Sequence, residues 1–230
     1  DSFPDLVLLD ANQKLLTAYL NDGLGNLAQA WSQATGIEPV AIQVADFNAD
    51  TIPDVALADA VQGAVTLLQG SGDGTFLLNT TLAVPGQPSD LKTADLDQDG
   101  LPDLIVTGLA DNVIVTYRSV QAFDFVEYQQ FSTGTGPNSI ALADLNADGF
   151  EDVSVSNSGS QDIYVYMGIG AGLLQPVGRL SADGQIEQLF WYSFGGYGSY
   201  FGVPPDQSFV RVLEGNYRVM NFPDTDVNEL

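Results

Sequence analysis

A chain of 230 residues with 45% hydrophobic content is long enough to bury one substantial core or a row of smaller, repeat-sized ones. Thirty acidic residues against six basic ones give a formal net charge of -24, a surface that repels nucleic acid and anionic lipid. Cysteine and histidine are both absent, which removes disulfides, thiolate or imidazole zinc sites, cysteine nucleophiles and the Ser-His-Asp triad.

No apolar run reaches the ~18 residues of a membrane helix. The opening Asp1-Ser-Phe-Pro-Asp5 lacks the basic and apolar segments of a signal peptide, so none is expected within these residues. Stability is expected to come from packing and metal. An extracellular location fits that expectation, with calcium serving where disulfides otherwise would.

In chain order, Asp1 to Asp5 matches the second half of an acidic motif that returns in full further on. A Gly-rich turn follows at Gly23 and Gly25, and a strand leads from Pro39 to Ala45. The first full motif is Asp46-Phe-Asn-Ala-Asp-Thr-Ile-Pro-Asp54. Apolar runs at Val55–Ala58 and Ala64–Leu68 read as strands, since β-branched and aromatic residues are bounded by turn residues. Gly72 and Gly74 mark the next turn, and Asn79-Thr-Thr81 is an N-glycosylation sequon. The pattern then repeats. Pro88 to Ala94 precedes Asp95-Leu-Asp-Gln-Asp-Gly-Leu-Pro-Asp103, with strands at Leu104–Thr107 and Val113–Tyr117. Pro137 to Ala143 precedes Asp144-Leu-Asn-Ala-Asp-Gly-Phe-Glu-Asp152, with strands at Val153–Ser156 and Ile163–Tyr166 and a turn at Gly170 and Gly172. The spacing between motifs is 49 residues without slippage. A repeat of this size is one supersecondary unit that buries its core against its neighbours. No long stretch carries helical periodicity between caps.

The motif D-x-[D/N]-x-D-x-x-x-D offers oxygen ligands at positions 1, 3, 5 and 9, with a backbone carbonyl at position 7. The predicted sets are Asp46, Asn48, Asp50, the Ile52 carbonyl and Asp54; Asp95, Asp97, Asp99, the Leu101 carbonyl and Asp103; and Asp144, Asn146, Asp148, the Phe150 carbonyl and Asp152. Clustered carboxylates repel one another unless a divalent cation offsets them. Ca²⁺ accepts such shells at ~2.3–2.6 Å, whereas Mg²⁺ demands tighter octahedra. The EF-hand reading fails, because its bidentate Glu position holds Leu57, Val106 or Val155 and the flanks read as strands. Gly100 and Gly149 suit a sharp turn at position 6. Thr51 there predicts either a strained turn, at ~1–2 kcal/mol, or a different one.

The loop pattern, the Gly-Asp-Gly-Thr-Phe76 turn and the period resemble the FG-GAP/VCBS repeats of integrin α-chain propellers and many secreted bacterial proteins, over residues 1 to about 180. The resemblance implies an all-β, antiparallel, β-propeller-like repeat protein, with Ca²⁺ held in the hairpin loop of each blade. About four to five blades of ~49 residues are expected, as units around 5–54, 54–103, 103–152 and 152–201, with a divergent short unit 202–230 completing the N-terminal one. Family propellers usually have seven blades, and seven such units exceed the 230 residues of this chain.

After the third motif the pattern breaks. Ser193 to Phe201 falls where the next loop is due but carries no ligand residues. Short strands are expected at Ser208–Leu213 and Asn216–Met220. The tail Asp226-Val-Asn-Glu229 matches the first half of the motif. Asp226 and Asn228 could therefore combine with Asp1, the Phe3 carbonyl and Asp5 in a fourth, split Ca²⁺ site, within one chain or between successive chains. Trp191, Tyr192, Tyr197 and Tyr200, with Arg211 and Arg218 nearby, form a candidate contact or glycan face. The ordered acids are already accounted for by the loops, so catalysis is not expected. The sequence points to a secreted, calcium-stabilised structural protein that self-associates through its termini as a filament or closed ring. The alternative is a glycan-binding or cell-adhesion propeller module.

Overall fold

β-branched and apolar stretches separated by Asp, Asn and Gly turns become strands throughout the computed structural model, which describes residues 3–181 and the strand segments 190–193, 199–203, 208–213 and 216–221. Among these residues there is no helix. Strands β1 (Leu6–Asp10), β2 (Leu15–Asn21) and β3 (Leu27–Ala34) form a first, three-stranded antiparallel sheet. The second sheet holds β4 (Pro39–Ala45), β5 (Asp54–Asp59), β6 (Ala64–Gly70) and β7 (Phe76–Ala83) in sequence order. The third holds β8 (Pro88–Ala94), β9 (Asp103–Gly108), β10 (Val113–Gln121) and β11 (Asp124–Ser132), and the fourth holds β12 (Pro137–Ala143), β13 (Asp152–Asn157), β14 (Asp162–Gly168) and β15 (Leu174–Ser181). A fifth sheet follows with β16 (Phe190–Ser193), β17 (Ser199–Val203), β18 (Ser208–Leu213) and β19 (Asn216–Asn221).

Each sheet is a simple antiparallel meander, as short turns between consecutive strands require. The four-stranded repeats begin at Pro39, Pro88 and Pro137. A period reveals spacing but not phase. The acidic motifs therefore lie inside a sheet, between its first and second strands, rather than at a boundary between sheets.

The second strands β5, β9 and β13 are buried at every residue, so both faces of each sheet are covered. The period-2 alternation of a strand assigns successive side chains to opposite neighbours. On β5, Val55 joins Leu16, Leu68 and Phe76 in the core shared with the first sheet. Ala56 and Ala58 instead join Val65, Leu91, Val106 and Tyr117 in the core shared with the third. A further core, built on Ile105, Ile114, Val155 and Tyr166, separates the third and fourth sheets. Each buried Leu, Ile or Val contributes ~1.5–3 kcal/mol relative to exposure.

The first strands lie side by side, β4 against β8 and β8 against β12. Polar contacts tie these inner edges together. The Ile140 N–H donates to Asp90 Oδ2 at 2.7 Å, and the Ser89 hydroxyl donates to the Pro137 carbonyl at 2.7 Å. Sheets stacked face to face and joined along their first strands make the arrangement β-propeller-like.

Candidate metal loops

The three acidic motifs fold alike because their side chains serve their own backbone. In the second loop the Asp95 carboxylate accepts the N–H of Asp99 at 3.0 Å and of Gly100 at 2.9 Å. Asp99 accepts the Leu101 N–H at 2.8 Å. Asp46 accepts the N–H groups of Asp50 and Thr51, and Asp144 those of Asp148 and Gly149, in the same pattern. Short polar side chains bonding to backbone two to five residues on are what hold Asp- and Asn-rich turns.

These bonds curl each loop twice through the left-handed region. Position 4 does so with Ala49 (φ 60), Gln98 (φ 62) and Ala147 (φ 60), none of them glycine. Position 6 does so with Thr51 (φ 69), Gly100 (φ 93) and Gly149 (φ 91). Thr51 thus accepts the strained conformation, and its loop turns like the other two.

The curl gathers side-chain oxygens. Carboxylate atoms of Asp95, Asp97 and Asp99 lie within 4.8 Å of one another. Two oxygens each ~2.4 Å from one ion are at most twice that distance apart, and the spacing of this trio satisfies that requirement. In the first and third loops the middle position offers the amide oxygen of Asn48 or Asn146. Both amides also donate across the loop, to Asp50 Oδ2 (2.8 Å) and Asp148 Oδ2 (2.9 Å). Burial and the neighbouring Asp99 push the Asp97 carboxyl up, as expected of crowded acids. The Ile52 N–H holds Asp50 below the usual carboxylate range. Arg118 reaches to 3.7 Å from Asp97 while lying over the Tyr128 ring, and among the described residues no other ion pair reaches one of the three loops.

Position 9 behaves differently from positions 1, 3 and 5. Asp54, Asp103 and Asp152 are at most 1% exposed, and each carboxylate spans two backbone donors. Asp54 takes the N–H of Phe47 (2.9 Å) and Gly70 (2.8 Å). Asp103 takes those of Leu96 (3.0 Å) and Ser119 (2.8 Å), and Asp152 those of Leu145 and Gly168, both at 2.7 Å. Each one clamps its loop to the end of the third strand of its sheet. Burial pushes Asp103 and Asp152 up to about 6, and raises Asp54 as well, although the N–H bonds oppose that shift. The sequence signal for this role was available in the alternate valines, leucines and isoleucines that follow each acid: an acid opening a strand with a buried face must find buried donors.

Near the N-terminus, Asp5 keeps half of the clamp, accepting the Asn21 N–H at 2.9 Å. Phe3 is exposed and packs beside Gly23. Asp1, Asp226 and Asn228 lie outside the described residues, as does Tyr197. Strand registers place Tyr192, Tyr200, Arg211 and Arg218 in one row across the fifth sheet, with Trp191 next to Tyr192 on β16. Asn79 is exposed on β7. Among the described residues no helix is long and apolar enough to cross a membrane.

An FG-GAP-like repeat model matches the chain twice, at residues 46–106 and 95–155, each match spanning two acidic loops. Comparison with curated proteins finds no match. Among solved structures, BBS1N in complex with ARL6DN superposes with a TM-score of 0.62 at 15% identity, over 90% of this chain and 57% of that one. A functionally unknown protein from Desulfotomaculum acetoxidans gives 0.69 at 12% identity, over 94% and 65%. A protein from Lactobacillus plantarum gives 0.66 at 16%, over 93% and 69%. The chain therefore spans little more than half of BBS1N and about two thirds of the other two. At these identities the likeness concerns the fold alone.

Proposed function

Residues 46–155 belong to the FG-GAP-like repeat family, and on that premise we propose that the protein is a non-catalytic, calcium-stabilised propeller-like structural module of about four to five blades, working outside the cell. The observation that carries the reading is the converged trio Asp95, Asp97 and Asp99, repeated in conformation at the other two loops. One Ca²⁺ per loop would take the side-chain oxygens of positions 1, 3 and 5 and the carbonyl of Ile52, Leu101 or Phe150. Asp54, Asp103 or Asp152 would support it from the buried side. Bound there, the ion supplies charge neutralisation and cross-linking, with no chemical step. Affinities typical of extracellular calcium modules would keep such loops filled outside cells.

Ca²⁺ titration against EDTA-treated protein tests this. Three equivalents are expected to bind at these loops, and a fourth where the split site at the termini is complete, each site adding ~2.7 kcal/mol at a hundredfold excess over Kd. In a chain of this size that raises Tm by ~5–10 °C per site, with Mg²⁺ giving less. A melting temperature unmoved by Ca²⁺ overturns the reading.

Self-association through the termini is the second element of the proposal. Asp226 and Asn228 would complete the loop with Asp1, the Phe3 carbonyl and Asp5, and the Asp5–Asn21 bond supports it by repeating at Asp5 half of the clamp seen at Asp54. Within one chain this closes a ring, and between chains it builds a filament. Light scattering with and without EDTA distinguishes them; an oligomer size and melting temperature both indifferent to EDTA refute the split site.

The Tyr192, Tyr200, Arg211 and Arg218 row favours a second reading as a glycan-binding or adhesion module. A glycan array probed with wild type and Tyr200→Ala tests it, and an array without calcium-dependent hits removes it.

A further inference from the structure

The 49-residue register puts Tyr19, Leu68, Tyr117 and Tyr166 at one equivalent position on β2, β6, β10 and β14, in the end pairs Leu6–Tyr19, Val55–Leu68, Leu104–Tyr117 and Val153–Tyr166 with the preceding strands. Two of these tyrosines plug the gap between adjacent sheets. Tyr117 is 2% exposed between the second and third sheets, and its hydroxyl donates to the Ala83 carbonyl at 3.5 Å. Tyr166 is 1% exposed between the third and fourth, and its hydroxyl donates to the Ser132 carbonyl at 3.1 Å. Ala83 and Ser132 end their outer strands, β7 and β11, and stand 49 residues apart. The corresponding acceptor between the first and second sheets is the carbonyl of Ala34, the last residue of β3. The residue facing that gap is Leu68, with no ring and no hydroxyl.

A cavity of about 280 Å³ lies in that gap. Leu16, Leu57 and Leu68 line it with Trp31, Ala34 and Thr35. Four of its lining residues, Leu16, Leu57, Ala34 and Thr35, stand where Val65, Val106, Ala83 and Val84 stand around Tyr117 and where Ile114, Val155, Ser132 and Thr133 stand around Tyr166, whereas Trp31 stands where those repeats have Thr80 and Gln129 and adds an aromatic wall of its own. A second observation marks the gap as incomplete. The Thr35 hydroxyl is shielded from solvent and has no hydrogen-bond partner. Its counterpart Thr133 donates to the Asn157 amide oxygen at 3.0 Å. Asp59, in the place of Asn157, has its oxygens engaged by the N–H groups of Gln62 and Glu38 instead. No lining residue is charged, on a chain whose net charge is -24.

We propose that this cavity is a binding site for a neutral phenol ring, which takes the place of the missing tyrosine. The ring packs against Leu16, Leu57 and Trp31, and its hydroxyl bonds to the Ala34 carbonyl and the Thr35 hydroxyl. The ring comes from a free small phenol or from a tyrosine side chain of another polypeptide. The neighbouring gaps show the fold accepting this group at two equivalent positions.

The probe is p-cresol, which has the atoms of a tyrosine side chain, titrated into the whole chain and followed by methyl NMR and calorimetry. Saturable binding is expected, with shifts at the Leu16, Leu57 and Leu68 methyls. Toluene, lacking the hydroxyl, is expected to bind about fivefold more weakly. Leu68→Tyr should fill the cavity, raise Tm and abolish binding. Thr35→Val, the residue found at the equivalent Val84, should weaken p-cresol about threefold and leave toluene unchanged. N-acetyltyrosinamide binding more tightly than p-cresol identifies a polypeptide tyrosine as the occupant, and the reverse identifies a free phenol. No saturable binding of p-cresol to folded wild-type protein overturns the proposal, as does a methyl glucoside binding at the same methyls more tightly than p-cresol.

Discussion

Asp103→Ala separates a buried clamp from a metal ligand. The carboxylate is 1% exposed and receives the N–H groups of Leu96 at 3.0 Å and Ser119 at 2.8 Å. Truncation orphans both donors at a buried position. An unsatisfied buried donor costs about 1–3 kcal/mol. Some of that loss returns, because burial has already pushed the carboxyl up to about 6 and its removal relieves desolvation. A net destabilisation of about 2–4 kcal/mol follows, or ~5–15 °C in Tm for a chain of this size. Urea melts in EDTA and in Ca²⁺ measure it, with Asp99→Ala as the contrast. Asp99 is exposed, so its loss should matter little in EDTA and show its effect only with calcium. The Asp103 variant should lose stability under both conditions. An Asp103→Ala melt matching wild type in EDTA refutes the clamp and leaves the residue a metal ligand alone.

Thr51→Gly should stabilise the metal-free protein by ~0.5–1 kcal/mol, since left-handed strain at φ 69 outweighs the chain entropy of glycine; a destabilised variant in a denaturant melt contradicts this. Arg118→Met, copying Met167 at the third loop, should raise Ca²⁺ affinity at the second loop about two- to fivefold in low-salt calorimetry and less in high salt. An affinity unchanged at low salt removes Arg118 from the account. Asp90→Ala should cost ~1–2 kcal/mol by orphaning the Ile140 N–H between the third and fourth sheets, while Asp90→Asn should recover much of it. Equal melting of the two variants shows that the contact carries no stability.

The acidic loops were legible as one recurring turn because the motif repeats in register at a constant spacing between strand-like runs. Strands such as Val55–Ala58 and Leu104–Thr107 were equally plain, since an apolar run of that length between turns has few other uses. The division of labour within the loop was not legible. Asp54 and Asp50 are the same residue type, and what separates them is depth: one opens a buried strand and the other tips a solvated turn. The left-handed residues at position 4 were invisible for another reason. Ala49, Gln98 and Ala147 carry no glycine signal, because side-chain bonds from Asp46, Asp95 and Asp144 enforce the turn from outside. The phase of the sheets was hidden because a strict period looks the same from any starting residue.

Clamp and cluster together explain how an acidic loop can be formed before any cation arrives. Position 1 turns its charge inward onto backbone N–H groups, which offset part of the repulsion from positions 3 and 5. Position 9 fastens the same loop to the strand end through Gly70, Ser119 or Gly168. A loop held at both places has little conformational entropy left to lose, so a bound cation would add to sheet stability instead of being spent on ordering the loop. Two loops are also linked directly, since Gln98 donates to the Gly149 carbonyl at 2.8 Å. A cation at the third loop would therefore steady the backbone next to the second. By this argument chelation should loosen the loop end of the sheets while leaving the apolar stack between β5, β9 and β13 folded. Hydrogen exchange in EDTA should then quicken at Thr51, Gly100 and Gly149 long before it does at Leu57, Val106 and Val155. Simultaneous loss of protection at both sets would mean that the metal holds the fold itself.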